Sequence, residues 1–339
     1  MTTTRPFTVT VHSFKGKGGH NLTAYERHVD ALDARSESRT SIEGQDAGSK
    51  ATNALIFIGG LTSGPHMTEI DFLVDNAKIV ALGYSVWELH MRSSYSGFGF
   101  SSLANDAEDI ASLVEYLRAR QKGKVVLVGT STGCQDVLSY ASTLARKRGA
   151  NTKVDGYVLL NPVSDREFAA FALPHDILEE SIAAAKSMID AGEGDEIIPR
   201  KLLPPVFSSP VSAYRWWSLA AKGGDDDFFS SDMTDEEICK KFESVKNRPI
   251  IFLPGEKDEM VPPTVDREAL LDRWIAAVTR IDSAEGGGAA SESWCKTDIT
   301  RCLSGFIPGG DHLLSERAAR EWAGERVAQF LACLEKSAL

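Results

Sequence analysis

Val125-Val-Leu-Val-Gly129-Thr-Ser131-Thr-Gly133 is the stretch on which the reading of this chain turns. Val125 to Val128 is a continuous apolar run of strand length. It passes directly into Gly-x-Ser-x-Gly, and Asp136 to Arg148 then reads as a helix. A serine on so tight a strand-to-helix turn is held in a strained backbone conformation with its hydroxyl standing over the sheet. The flanking glycines are needed because side chains there would collide with the neighbouring strand and helix. The following helix also directs the positive end of its dipole at the site. The plainer alternative is a glycine-rich turn used only for packing.

Working outward, similar short apolar runs recur at Ala54–Ile58, Ser85–Leu89, Gly156–Leu160 and Pro249–Leu253. Such runs suit a parallel sheet buried on both faces. A helix is expected over Leu103–Arg120, where Ala107, Ile110, Ala111, Val114 and Leu117 recur at helical spacing. Strand–helix alternation of this kind predicts a doubly wound α/β fold with a mostly parallel central sheet. At the N-terminal side, Phe7–Phe14 and Leu22–Val29 alternate apolar and polar residues as two strands do. The Lys15-Gly-Lys-Gly-Gly-His20 turn between them is not a P-loop, since no Gly-Lys-Ser/Thr opens a helix after it. Residues 163–245 break the rhythm with prolines and aromatics and read as a helical insertion capping the sheet. The core is therefore expected over 1–162 and 246–339. Polar stretches at 33–53 and 283–297 read as flexible loops. Arg301–Ile307 is the expected last strand and Ser315–Leu334 the closing helix.

The 339 residues allow two domains at about 150 residues each, or one α/β domain with insertions. With 42% hydrophobic and 25% charged residues the composition is that of a globular chain. Its 37 basic and 48 acidic residues give a net charge of −11, which argues against nucleic-acid partners and anionic membrane surfaces. No apolar run approaches the roughly 18 residues of a membrane span. Nor does the N-terminal stretch carry an apolar segment of signal-peptide length. Five cysteines at irregular spacing, with no CxxC pair, suggest neither a disulfide framework nor zinc. These features point to a cytoplasmic protein, and no metal or cofactor is expected. Nothing in the pattern speaks to oligomeric state.

A serine nucleophile needs a base. With an elbow of this kind the chain order is serine, acid, histidine. Only His175 and His312 follow Ser131. His175 sits in the presumed cap and reads as a surface residue. His312 follows the last expected strand, in the glycine-rich Ile307-Pro-Gly-Gly-Asp-His312, where the base should lie. The acid is Asp258, just past the Ile250–Leu253 strand, holding the histidine tautomer and stabilising the imidazolium. Asp165, after the preceding strand, is its rival; a salt bridge or cap hinge is the plainer role for it. Two backbone N–H groups should form an oxyanion hole. One belongs to Thr132. The other comes from Gly59-Gly60-Leu61, with Leu61 the first choice and Gly60 the second. Cys134, one turn into the helix, reads as a buried small side chain. Asp225-Asp-Asp227 lacks a calcium-loop pattern and reads as a solvated acidic turn. Tyr214, Trp216, Trp217, Phe228 and Phe229 either line an apolar pocket or form the cap's own core.

With Gly-x-Ser-x-Gly, Asp258 and His312 in this order, the chain resembles the α/β-hydrolase superfamily over most of its length. Phe57–Leu61, Leu89–Gly99, Gly129–Asp136 and Asn161–Glu167 further resemble a group of eukaryotic hydrolases. That group includes fungal esterases that open the ester bonds of hydroxamate siderophores such as fusarinines. The resemblance implies an α/β-hydrolase fold with Ser131 as nucleophile, His312 as base and Asp258 as acid. It leads to the expectation of a serine hydrolase that cleaves a small-molecule carboxylic ester through an acyl-serine, without a cofactor. The same three residues would also serve a thioesterase or a serine peptidase. A ligand-binding protein that keeps the fold without turnover is the alternative from another class.

Overall fold

A strand apolar at every position must be covered on both sides, and the central strands meet that demand. In the computed structural model, which describes residues 7–29, 51–147, 152–205, 207–280 and 298–336, seven strands form one sheet. They are β1 (Thr8–Lys15), β2 (Asn21–His28), β3 (Asn53–Ile58), β4 (Tyr84–His90), β5 (Val125–Thr130), β6 (Gly156–Leu160) and β7 (Ile250–Leu253). Their spatial order is β1-β2-β4-β3-β5-β6-β7. The five strands from β4 to β7 run parallel. The β1–β2 pair extends the sheet antiparallel through β2 and β4. The helices are α1 (Asp71–Val74), α2 (Ala77–Ala81), α3 (Leu103–Ala119), α4 (Gly133–Lys147), α5 (Asp165–Ala172), α6 (His175–Asp190), α7 (Ala213–Ala220), α8 (Asp235–Phe242) and α9 (Arg267–Thr279). A helical segment at 298–303 (α10) and the closing helix α11 (Arg317–Lys336) complete the order.

Successive residues of one strand serve opposite cores, as a period of two requires. Ala54, Ile56 and Ile58 of β3, with Val125 and Leu127 of β5, pack with Leu113, Leu138 and Trp274 of α3, α4 and α9. Leu55, Phe57, Val126 and Val128 face the other way, against Leu73 of α1, Ile79 of α2 and Val327 of α11. Register Phe57↔Val128 and Ile58↔Gly129 sets the carboxyl ends of β3 and β5 side by side. The loop after β3 therefore starts beside the serine turn, where open α/β sheets bind ligands.

The expected last strand does not form. Arg301–Leu303 belongs to α10, and only Ile307 bridges to Gly255. The β7 edge finds other partners. Thr300 Oγ1 donates to the Ile250 carbonyl, and the Phe252 N–H donates to Ser304 Oγ. Gly305 and Ile307 N–H groups then donate to the carbonyls of Phe252 and Pro254. With the edge satisfied by side chains and a turn, nothing favours a ladder there, and Pro308 lacks a donor to extend one. The other expected elements form, with ends displaced by a few residues. Of the two expected loops, 33–50 and 283–297 lie outside the described residues.

Between β6 and β7 the chain builds α5 to α8 and a small core of its own, with Trp216, Phe207, Ile198, Leu202 and Ala185 buried together. Of the aromatics singled out from sequence, Trp216 joins this core and donates its indole N–H to Ser181. Phe228 and Phe229 instead pack into the main core with Phe242 and Trp274. Asp225-Asp-Asp227 is not a solvated turn. Only Asp225 is exposed; Asp226 is paired with Arg215, and Asp227 with Arg166. Burial of those two carboxylates is possible because each meets a guanidinium and a serine hydroxyl. No helix among the described residues is long and apolar enough to cross a membrane.

Candidate active site

The strain expected at Ser131 is present: its φ is 54°, in the left-handed region that side chains avoid. Its N–H donates to the Leu160 carbonyl, which fixes the turn against β6. Both glycines of the motif are sterically required. A Cβ on Gly129 would strike the Gly133 carbonyl, and one on Gly133 would strike the Ile58 carbonyl. Cys134 is fully buried, with its thiol on the carbonyls of Gly129 and Leu160 and its pKa raised by burial. It packs the elbow and is no nucleophile.

Three side chains from distant parts of the chain meet over the sheet. His312 Nε2 lies 2.9 Å from Ser131 Oγ. His312 Nδ1 lies 2.9 Å from one oxygen of Asp258 and 3.0 Å from the other. Asp258 is 1% exposed and His312 8% exposed, so the pair works largely out of water. Asp258 also accepts from the Met260 N–H, and its own carbonyl accepts from Arg267. The histidine loop is braced by residues to which the sequence reading gave no such role. Glu259 accepts from the His312 N–H and Glu256 from the Gly309 N–H. Asn161, buried and at φ 45°, donates to the carbonyls of both Asp311 and His312. His175 is remote from this cluster; it lies exposed at the start of α6, facing Glu179.

Gly60 lies against Ser131. A Cβ there would come 2.7 Å from Ser131 Cβ, so only glycine permits the approach. The backbone N–H groups of Leu61 and Thr132 have no hydrogen-bond partner among the described residues. Both residues line the cavity that holds Ser131 and His312. The loop that carries Leu61 is anchored from behind. Glu88, buried on β4, accepts from the His66 N–H at 2.8 Å and its Nδ1 at 3.0 Å, and pairs with Arg27. Tyr95 donates its N–H to Ser63 and its hydroxyl to Pro65. Thr62, His66 and Tyr95 all sit at positive φ, and these contacts hold His66 and Tyr95 there.

Asp165 makes no hydrogen bond to His312. Its carboxylate accepts from Thr132 Oγ1 at 3.0 Å and from Gln135 Nε2 at 2.7 Å. Burial, with the charge of Asp226 second, pushes its carboxyl up to about 7. A second buried group stands behind the Gly60 loop, across a cavity of about 30 Å³. Arg215 of α7 reaches Asp226, beside Asp106 of α3 and Asp136 of α4. Burial raises Asp106 to about 6, against the pull of Arg215, and raises Asp136 further. The neighbouring Asp106 carboxyl adds to the rise at Asp136.

The cavity over Ser131 measures about 340 Å³. Phe57, Phe72, Phe168, Phe207, Met67 and Leu313 give it an apolar wall, and its titratable groups are Glu69, Asp165 and His312. Tyr214, Trp216, Trp217, Phe228 and Phe229 are not in that wall. No group of three or more metal-ligating side chains occurs among the described residues.

Sheet order, strained serine turn and the position of the histidine loop are those of the α/β-hydrolase fold, which solved structures share with this chain. The match to one family is close to complete in length: the chain belongs to the family described as protein of unknown function (DUF1749), matched over residues 21–332. It is 31% identical over 342 residues to Esterase AN6793 of Emericella nidulans, covering 84% of this chain and 87% of that one. It is 28% identical over 350 residues to the fusarinine C esterase sidJ of Aspergillus fumigatus, covering 89% and 95%. Its structure is similar to that of the siderophore hydrolase EstB from Aspergillus fumigatus, with a TM-score of 0.67, 25% identity and coverage of 97% and 98%.

Proposed function

We propose that this protein is a serine hydrolase that cleaves small-molecule carboxylic esters. The observation that carries the reading is the unbroken contact from Asp258 through His312 to Ser131, with the serine at positive φ. His312 takes the Ser131 proton as Oγ attacks the carbonyl carbon, and Asp258 stabilises the imidazolium. The N–H groups of Leu61 and Thr132, with Gly60 admitting the close approach, receive the oxyanion. The imidazolium protonates the departing alkoxide. Water, deprotonated by His312, then attacks the acyl-serine and returns the serine to its starting state. Residues 163–245 act as a cap: Phe168 and Phe207 from this segment close the cavity over the nucleophile.

The named activities of the relatives support an ester as the bond cleaved. Two of those names also favour an ester of the siderophore type as the substrate. A coenzyme A thioester fits less well, because neither lysine nor arginine is among the described residues that line the cavity to meet its phosphates. The test is covalent labelling by a fluorophosphonate, with Ser131→Ala and His312→Ala alongside, followed by esters of varied acyl length and a ferric-hydroxamate panel. Labelling of the wild type alone supports the reading. Equal labelling of Ser131→Ala sinks it. Binding of an ester without release of acid or alcohol by mass spectrometry would favour the ligand-binding alternative.

A further inference from the structure

Thr132 carries two groups that point to different tasks. Its backbone N–H has no partner among the described residues, whereas its hydroxyl is committed to Asp165. Asp165 lies in the first turn of α5, on the segment that enters between β6 and β7. It therefore reaches the serine turn from outside the β5–α4 unit. Its second oxygen accepts from Gln135, whose amide also donates to the Val163 carbonyl at 3.0 Å. Thr132 is 3% exposed and Gln135 fully buried, so neither has water as a substitute partner. On the other side, the Ser131 N–H is tied to the Leu160 carbonyl. Ser131 and Thr132 are thus held from two directions: Ser131 by β6 through its backbone N–H and Thr132 by α5 through its side chain.

We propose that Asp165 is a positioning residue for ester cleavage: by holding the Thr132 hydroxyl it aims the Thr132 N–H at the oxyanion. The inference rests on the serine-hydrolase reading. Preorganised donors act only when aimed at the place where charge develops, and a misplacement of about 1 Å costs about a hundredfold in rate. Asp165 itself touches neither Ser131 nor His312 by a hydrogen bond. It acts through Thr132, and the same contact joins the first helix of the cap to the nucleophile turn. A cap helix that shifts would carry the donor with it.

The experiment is a double-mutant cycle on Asp165→Asn and Thr132→Val, read as kcat and KM on a p-nitrophenyl ester, with Thr132→Ser as the conservative variant. Asparagine keeps the size of the side chain but offers one acceptor oxygen where the carboxylate offers two, so Thr132 and Gln135 compete for it, and valine keeps the shape of threonine without its hydroxyl. Each single variant is expected to lower kcat about ten- to a hundredfold with KM within about threefold. The double variant is expected to be no slower than the slower single one, since both break one linkage. Thr132→Ser, which restores the hydroxyl, is expected to recover most of the wild-type kcat. Thermal unfolding of each variant separates a folding defect from a rate defect. Asp165→Asn with wild-type kcat, losses that multiply in the double variant, or a loss confined to KM would each overturn the proposal while leaving the hydrolase reading standing. A wild-type protein that turns over no ester overturns both.

Discussion

Gly60→Ala isolates the approach of the β3 loop to the nucleophile. The added Cβ would lie 2.7 Å from Ser131 Cβ, 3.2 Å from Ser131 Oγ and 3.3 Å from the Thr130 carbonyl. Carbon atoms in contact sit about 3.5–4.0 Å apart, so the loop must retreat by roughly 1 Å. Gly60 is not at positive φ, so alanine meets no backbone obstacle and the whole cost falls on the approach. A retreat of that size takes the Leu61 N–H out of hydrogen-bond range of the oxyanion. Loss of one such donor lowers kcat by about 10²–10³, or about 2.7–4 kcal/mol of transition-state stabilisation. The loop is only half-buried there, so the midpoint of urea unfolding should change little. Leu61→Ala is the control, because it keeps the N–H and should stay within a few-fold of wild type. The assay is steady-state hydrolysis of a p-nitrophenyl ester together with the rate of fluorophosphonate labelling. A Gly60→Ala kcat within about threefold of wild type, with unchanged stability, would refute the reasoning.

Further outcomes follow from the same contacts. Asp258→Asn presents His312 Nδ1 with an amide in place of a carboxylate, and kcat should fall by about 10⁴ with the fold retained, checked by activity and circular dichroism. Arg215→Met leaves Asp106, Asp136 and Asp226 buried beside no guanidinium and should cost about 3–5 kcal/mol in urea unfolding. Burial raises the folded-state pKa of Asp106 to about 6 from 3.8. The folded state therefore keeps a proton that the unfolded chain has lost, and the contribution of this group to stability falls as pH rises from about 4 to about 6. Asp106→Asn should flatten that slope in urea titrations at about pH 4.5 and 7; an unchanged slope would assign it to other groups.

Much of this chain was legible before any coordinates. The central strands declared themselves because a parallel sheet covered on both faces tolerates apolar residues at every position. The serine turn was legible because strand, Gly-x-Ser-x-Gly and helix are contiguous. Asp258 and His312 were singled out from chain order and from their places past strand ends, and the fold brings both to Ser131. The expected strand at Arg301–Ile307 failed for a reason equally physical: Thr300, Ser304 and Gly305 satisfy the β7 edge without a ladder. Its apolar residues looked the same in either outcome.

What the linear sequence determined is each residue's local tendency: buried strand, tight turn and helix start. What only the tertiary structure decided is which distant polar groups become partners. Asn161, Glu256 and Glu259 brace the histidine loop, and Glu88 holds the Gly60 loop through His66, across separations that carry no periodic signal. Asp165 turned from rival acid to partner of Thr132 because α5 brings it to the serine turn and not to His312. Asp226 looked like part of a solvated turn until Arg215 was placed beside it. The reason is general to both cases. A polar side chain is stable in the interior only with a partner, and the partner is chosen by the packing of elements that the local sequence does not encode.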